Sequence, residues 1–392
     1  MWPCLLLACC GAAPIFDARP DNPWDELRQV FYSHRFTNGE IYEHDVSLDS
    51  APWSNWAPFY NNEQFYSRVV AILDAFLELP ADEVEKQPAV RRAILLRDLW
   101  SVFDAQTQND LTKPGVAADR QTALRERLAK IMRRLELAER EITELPDNFK
   151  AAIVEKTFAT DFDPQSPEKG FLPPDLFDEG GPWVAIARGK KTPGAAMHLQ
   201  SCDYRSIFVP YIRVSADRQR TLDFLERYRK SPMVPAGAQL ALVRRTALPT
   251  TSGRIMATSI TESLQIMIID RASRPRFKYV LDRKELMAGR PALRMLTKED
   301  QVDAYSSEAG GLFTHDTKND ADGEMLVLGR QTGPITESSL GYCCACHRGS
   351  RLFANFGDSS FVVPTTLADQ TKIILSLKER QPNWKVFSHL TD

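Results

Sequence analysis

The sharpest chemical signal in this chain is one heptapeptide near its C-terminus, Gly341-Tyr342-Cys343-Cys344-Ala345-Cys346-His347. Cys343 and Cys346 are three positions apart, so on a helical turn they share a side. His347 follows directly. Two thiols at that spacing can form thioether bonds to one edge of a haem while the imidazole ligates the iron from below. With seven Cys and six His in 392 positions, chance yields about 0.002 such pentapeptides, so composition alone does not account for it. The same residues admit two other chemistries. Cys343 and Cys346 can close a local disulfide in an oxidising compartment. They can also hold zinc with His347 and a distant fourth ligand, such as Cys202 or His315. The chain has no second C-x-x-C and no H-x-x-x-H to complete the usual zinc pattern.

A haem iron held by His347 has a second axial position to fill. No Met follows His347, and His389 is the one downstream His. His315, Met325, Met295 and His198 are the upstream candidates, and a five-coordinate iron is the remaining option. The helix expected over 366–380 ends near Pro382, which lets the tail turn and return His389 towards His347. A bis-His site has a lower potential than a His/Met site. The motif is expected on a helical turn facing an apolar concavity. Leu352, Phe353, Phe356, Ile374 and Trp384 are candidates for its walls, because a haem site excludes water.

The motif resembles the attachment site of c-type cytochromes. That resemblance covers only the motif and implies haem c as cofactor, Cys343 and Cys346 as thioether sites and His347 as proximal ligand. It further implies electron transfer or redox sensing, with a redox protein as partner. The stretches Arg97-Asp98-Leu99-Trp100, Leu145-Pro146-Asp147-Asn148, Phe171-Leu172-Pro173-Pro174-Asp175-Leu176-Phe177 and Thr261-Glu262-Ser263 resemble those of uncharacterised exported bacterial proteins with one such motif near the C-terminus. No activity comes with that resemblance.

The other cysteines point to the same compartment. Cys4, Cys9 and Cys10 fall in the first ten residues and only Cys202 is isolated, which is not a disulfide framework. Residues 1–14 read as the back half of an export signal, with Leu5-Leu6-Leu7 followed by small residues. Leu6-Leu7-Ala8-Cys9 also resembles a bacterial lipobox, so a lipid anchor at Cys9 or Cys10 would be the route to a membrane. The expected location is the periplasm or cell envelope, where haem c is attached.

Composition excludes several classes. The chain is 43% hydrophobic and 26% charged with a net charge of −3, an ordinary globular balance without a nucleic-acid footprint. No apolar run reaches the roughly 20 residues of a membrane-spanning helix. Phosphate-loop, dinucleotide, serine-hydrolase and zinc-protease motifs are absent from the sequence, so no enzymatic activity is assigned. Asp320, Asp322 and Glu324 match only part of a calcium loop and read as a turn. The alternative function is an exported binding or structural module whose cysteines form a disulfide or a zinc site.

Hydrophobic periodicity gives the elements that must position the motif. Residues 15–160 read as a mainly helical domain. Asn38-Gly39 predicts a hairpin of 31–36 with 40–46, His34 opposite Glu43. Helices follow, the first ending at Leu79-Pro80, a second over 82–104 and a third over 119–143. The stripe of the third is Leu124, Leu128, Ile131, Leu135, Ala138 and Ile142; its mixed charges read as a solvated face. A Pro- and Gly-rich linker covers 161–182. Residues 183–330 read as an antiparallel α+β domain with strands near 183–187, 207–214, 239–246, 259–270 and 277–281. Pro210 predicts an edge strand or a bulge. Residues 331–392 carry the motif and a C-terminal helix. The expected class is therefore α+β.

Overall fold

Prolines and apolar stripes set the helical layer. The computed structural model describes residues 22–35, 41–43, 63–108, 118–228, 234–269, 275–296 and 362–390. Helix α1 (Pro23–Tyr32) leads into a two-stranded ribbon, β1 (Ser33–Arg35) with β2 (Ile41–Glu43). Helix α2 (Glu63–Leu77) stops before Pro80, and α3 (Ala81–Glu85) is one short turn. Pro88 then opens α4 (Ala89–Gln108), its carbonyl accepting from the amides of Arg91 and Arg92. The expected single helix over 82–104 is thus broken at Pro88, which cannot donate a helical hydrogen bond.

Helix α5 (Ala118–Leu135) buries Leu124, Leu128, Ile131 and Leu135 as the stripe requires. It does not run on to Thr143. Leu137 instead bridges Thr250, and Ala138 is exposed at the start of α6 (Glu139–Thr143), where its amide donates to Glu141. Pairing with a distant strand overrides the helical period there. Helix α7 (Asn148–Val154) is capped by Asp147. In the ribbon, His34 pairs with Tyr42 and not with Glu43. Phe31 and Tyr32 belong to α1 and are buried, so pairing begins only at Ser33.

Among the described residues the sheet has seven antiparallel strands. They are β3 (Val184–Ala187), β4 (Ser206–Arg213), β5 (Gln239–Pro249), β6 (Ile255–Ile268), β7 (Arg276–Leu281), β8 (Leu293–Met295) and β9 (Val363–Thr365). From β3 to β8 each strand pairs with the next, and β9 returns to the free side of β3. The class is α+β as expected. β4 is internal, however, and its Pro210 corrects the expected edge. The β3–β4 pairing runs only through Val184 with Ile212 and Ala185 with Tyr211. Pro210 has no N–H to extend it, and Gly194 fills the place against Pro210 and the Ile186 carbonyl.

Helices α8 (Ala196–Ser201), α9 (Arg218–Tyr228), α10 (Arg283–Met287), α11 (Leu367–Glu379) and α12 (Pro382–His389) complete the described chain. One contiguous core joins α1, α4 and α5 to the sheet and to α11 and α12. A second cluster on the other face packs Phe224, Leu225 and Tyr228 of α9 on Val184, Ile186 and Ile212. Among the described residues the outermost strands are β8 and β9, of three residues each, and Pro364 further blunts β9 against pairing. The chain between Leu296 and Val362 therefore starts beside one edge of the sheet and ends beside the other. Six inter-strand spacings separate those edges, about 29 Å.

Candidate functional site

Helix α4 is buried on every side from Arg92 to Asp104, because it lies at the centre of the main core. Yet it carries Arg97, Asp98 and Asp104, each fully buried. Charges so placed must be paired. They are paired in three clusters along one helix.

In the first, Arg97 Nε donates to Glu262 Oε1 at 3.2 Å and its Nη2 donates to Ser206 Oγ at 2.9 Å. Arg244 reaches the same carboxylate at 2.8 Å and stacks on Phe208. Glu262 can do this because the β5–β6 register is shifted at that point: Ser263 faces Arg244, Thr261 faces Arg245, and Glu262 is the extra residue. A bulge re-aims a side chain in this way. Asn148 holds the bulge, donating to the Thr261 carbonyl at 2.9 Å and accepting its amide at 2.8 Å. In the second cluster, Arg283 clamps Asp98 with two hydrogen bonds of 2.6 Å, Arg28 approaches it at 3.6 Å, and Tyr32 donates to the Asp98 carbonyl. Burial pushes the Tyr32 phenol far up, with the Asp98 charge acting the same way. In the third, Asp104 accepts from Lys378 of α11 at 2.6 Å and from Arg205 at 2.8 Å. Three of the four stretches singled out in the sequence, around Arg97, Asn148 and Glu262, meet in the first cluster.

A cleft of about 420 Å³ opens on the helical layer, with Val84, Arg92, Arg133, Glu136, Glu141 and Thr251 among its walls. Burial raises the Glu136 carboxyl from 4.5 to about 7, although the Arg133 hydrogen bond at 2.8 Å pulls it down. Burial, helped by the Asp104 charge, raises Asp203 from 3.8 to about 6 against the pull of Lys378 and Arg205. Both folded values lie above the unfolded ones, so the folded state binds the proton more tightly. The stability that Glu136 contributes is complete below its unfolded value and is lost as pH rises through about 7. The melting temperature should therefore fall from about pH 5 to about pH 8. Glu136→Gln should flatten the upper part of that fall and be more stable than the parent chain at about pH 8, by roughly 3 kcal/mol at most. A melting temperature that rises over this range would contradict the Glu136 shift.

The sequence-derived site residues separate into two groups. Cys343, Cys346, His347, His315, Met325, Cys9 and Cys10, with Leu352, Phe353 and Phe356, lie outside the described residues. His389 is described: it ends α12 and is exposed. The expected turning tail is a helix instead, because Pro382 is well placed in a first helical turn and Trp384 and Phe387 bury against α4. Ile374 and Trp384 belong to the main core. His198 stacks on Phe208 at 5.5 Å, Met295 lies on the edge strand β8, and Cys202 is buried with its thiol donating to the Leu199 carbonyl. Among the described residues no group of three or more His, Cys, Asp or Glu side chains could hold a metal ion. No described helix is long and apolar enough to cross a membrane.

The buried charges of α4 were missed in the sequence because helical periodicity assigns charges to the wet face. The signal that could have found them is the lack of any polar face on α4 for Arg97 and Asp98 to occupy. Comparison with known proteins finds no matching family model, no matching curated protein and no matching solved structure.

Proposed function

We propose that the chain is an exported mono-haem protein of the c type, serving electron transfer or redox sensing. The observation that carries this reading is the pentapeptide Cys343 to His347, whose donor set of two thiols and an adjacent imidazole suits haem c. Cys343 and Cys346 would hold the haem edge and His347 its iron. The bound haem would supply a one-electron carrier. The described domain suits the part of a rigid mount. The segment bearing the motif is tied at both ends, after β8 and before β9, and His347 precedes Val362 by fifteen residues. Residues 362–390 continue from that segment into the central core through α11 and α12.

Haem staining after denaturing electrophoresis tests the reading, on full-length chain made in a host competent for c-type maturation. Wild type should stain, and Cys343→Ser with Cys346→Ser should abolish the stain while leaving the protein soluble. An unstained wild type in that host would leave the disulfide or zinc module as the better account.

A further inference from the structure

We propose that Lys378 and Asp203 condense into an intramolecular amide that cross-links α11 to the turn after α8. Lys378 is fully buried on α11. Its Nζ lies 3.0 Å from Asp203 Oδ2, 2.6 Å from Asp104 Oδ2 and 3.3 Å from Asn383 Oδ1. The Trp100 ring stands 5.0 Å from it. A lysine amine, an acceptor carboxyl and a second carboxylate are thus held in contact in a site shut off from water.

The turn that presents Asp203 is unusual. Asp203 and Tyr204 both have left-handed backbones, at φ 51° and 60°. Neither is glycine, so the surroundings must enforce the conformation. The Asp203 amide donates to Gln200 and the Tyr204 amide to Leu199, at 3.1 and 2.8 Å. The conformation holds the carboxyl against Lys378. Burial moves that carboxyl to about 6, towards the neutral acid that an amine attacks.

The atoms and charges balance. Asp104 Oδ2 takes a proton from the Lys378 ammonium. The amine attacks Asp203 Cγ; a C–N bond forms and a C–O bond breaks. The departing oxygen leaves as water with two hydrogens from the former ammonium, one of them returned by Asp104. The triad and Arg205 hold two positive and two negative charges before the reaction. Afterwards Asp104 and Arg205 remain as a matched pair at 2.8 Å. Two charges leave a buried site that disfavours them, and the Lys378 nitrogen already touches the Asp203 carboxyl through Oδ2 at 3.0 Å. Asp104 is the closer carboxylate, but Arg205 hydrogen-bonds it at 2.8 Å while standing 3.8 Å from Asp203. This assigns Asp104 to proton transfer and Asp203 to the bond.

Denaturing digestion and tandem mass spectrometry of the purified full-length chain test the proposal. The expected product is a branched peptide joining Lys378 to Asp203, lighter by one water than its two linear parts. Asp203→Gly, which tolerates the left-handed backbone, should yield only linear peptides. Asp104→Asn should form the branch about 10²-fold more slowly. Linear peptides alone from the wild-type chain would overturn the proposal. So would a branch from Lys378 to Asn383, identified by the loss of ammonia in place of water. The wild-type result decides even if a variant fails to fold.

Discussion

Replacing Asp98 by Ala should lower folding stability by about 3–5 kcal/mol, the usual cost of removing one partner from a buried ion pair. The reason is geometric. Asp98 takes both donors of Arg283 at 2.6 Å and stands 3.6 Å from Arg28, and all three side chains are almost fully buried. Without it, Arg283 loses both hydrogen bonds to the carboxylate and Arg28 loses a buried negative charge 3.6 Å away. Domains of this kind are usually stable by only about 5–15 kcal/mol, so the variant should unfold at markedly lower denaturant. An exposed pair provides the control. Asp82 and Lys86 are both largely exposed, and Asp82→Ala should cost less than about 1 kcal/mol. Equal losses in the two variants would refute the view that burial sets the energetics of α4.

Trp100→Ala should be the most damaging truncation of an apolar side chain, at about 3–5 kcal/mol. Trp100 is fully buried, its ring centroid 5.9 Å from that of Trp384, and the Lys378 ammonium faces it. Phe103 supports the same seam by meeting Phe387 edge-on at 5.6 Å. The cavity should therefore loosen α12 selectively. Hydrogen exchange of the amides over 382–390 should accelerate well before that of β5 and β6. Uniform acceleration across the sheet would mean that α12 is not an individually docked element.

The legible parts of the fold were those where local pattern and tertiary packing agree. The α5 stripe, the helix expected over 366–380 and the antiparallel strands follow from spacing and turn chemistry. The missed parts are places where distant contacts override the local signal. Leu137 leaves the helical period because it bridges Thr250. Pro210 sits inside the sheet because β4 pairs fully with β5 on one side, while its pairing with β3 stops at Tyr211 and a side-chain-free Gly194 packs close to Pro210. Glu262 turns towards Arg97 because an extra residue shifts the strand register, and alternation read from sequence carries no trace of a bulge. The candidate haem site was legible for the opposite reason: its donors are contiguous, so no tertiary information was needed to see Cys343, Cys346 and His347 as a set. Its second axial ligand is not contiguous, and spacing alone did not single out one residue from among His389, His315 and Met325.

The most direct test of the central claim is the covalent haem content of the full-length chain, purified from a host that matures a control c-type cytochrome. Acid–acetone extraction followed by the pyridine haemochrome spectrum gives the haem retained per chain. The account predicts one haem per chain that resists extraction, and none when Cys343 and Cys346 are both replaced by Ser. A chain that carries no covalent haem, beside a control that matures normally, would contradict it.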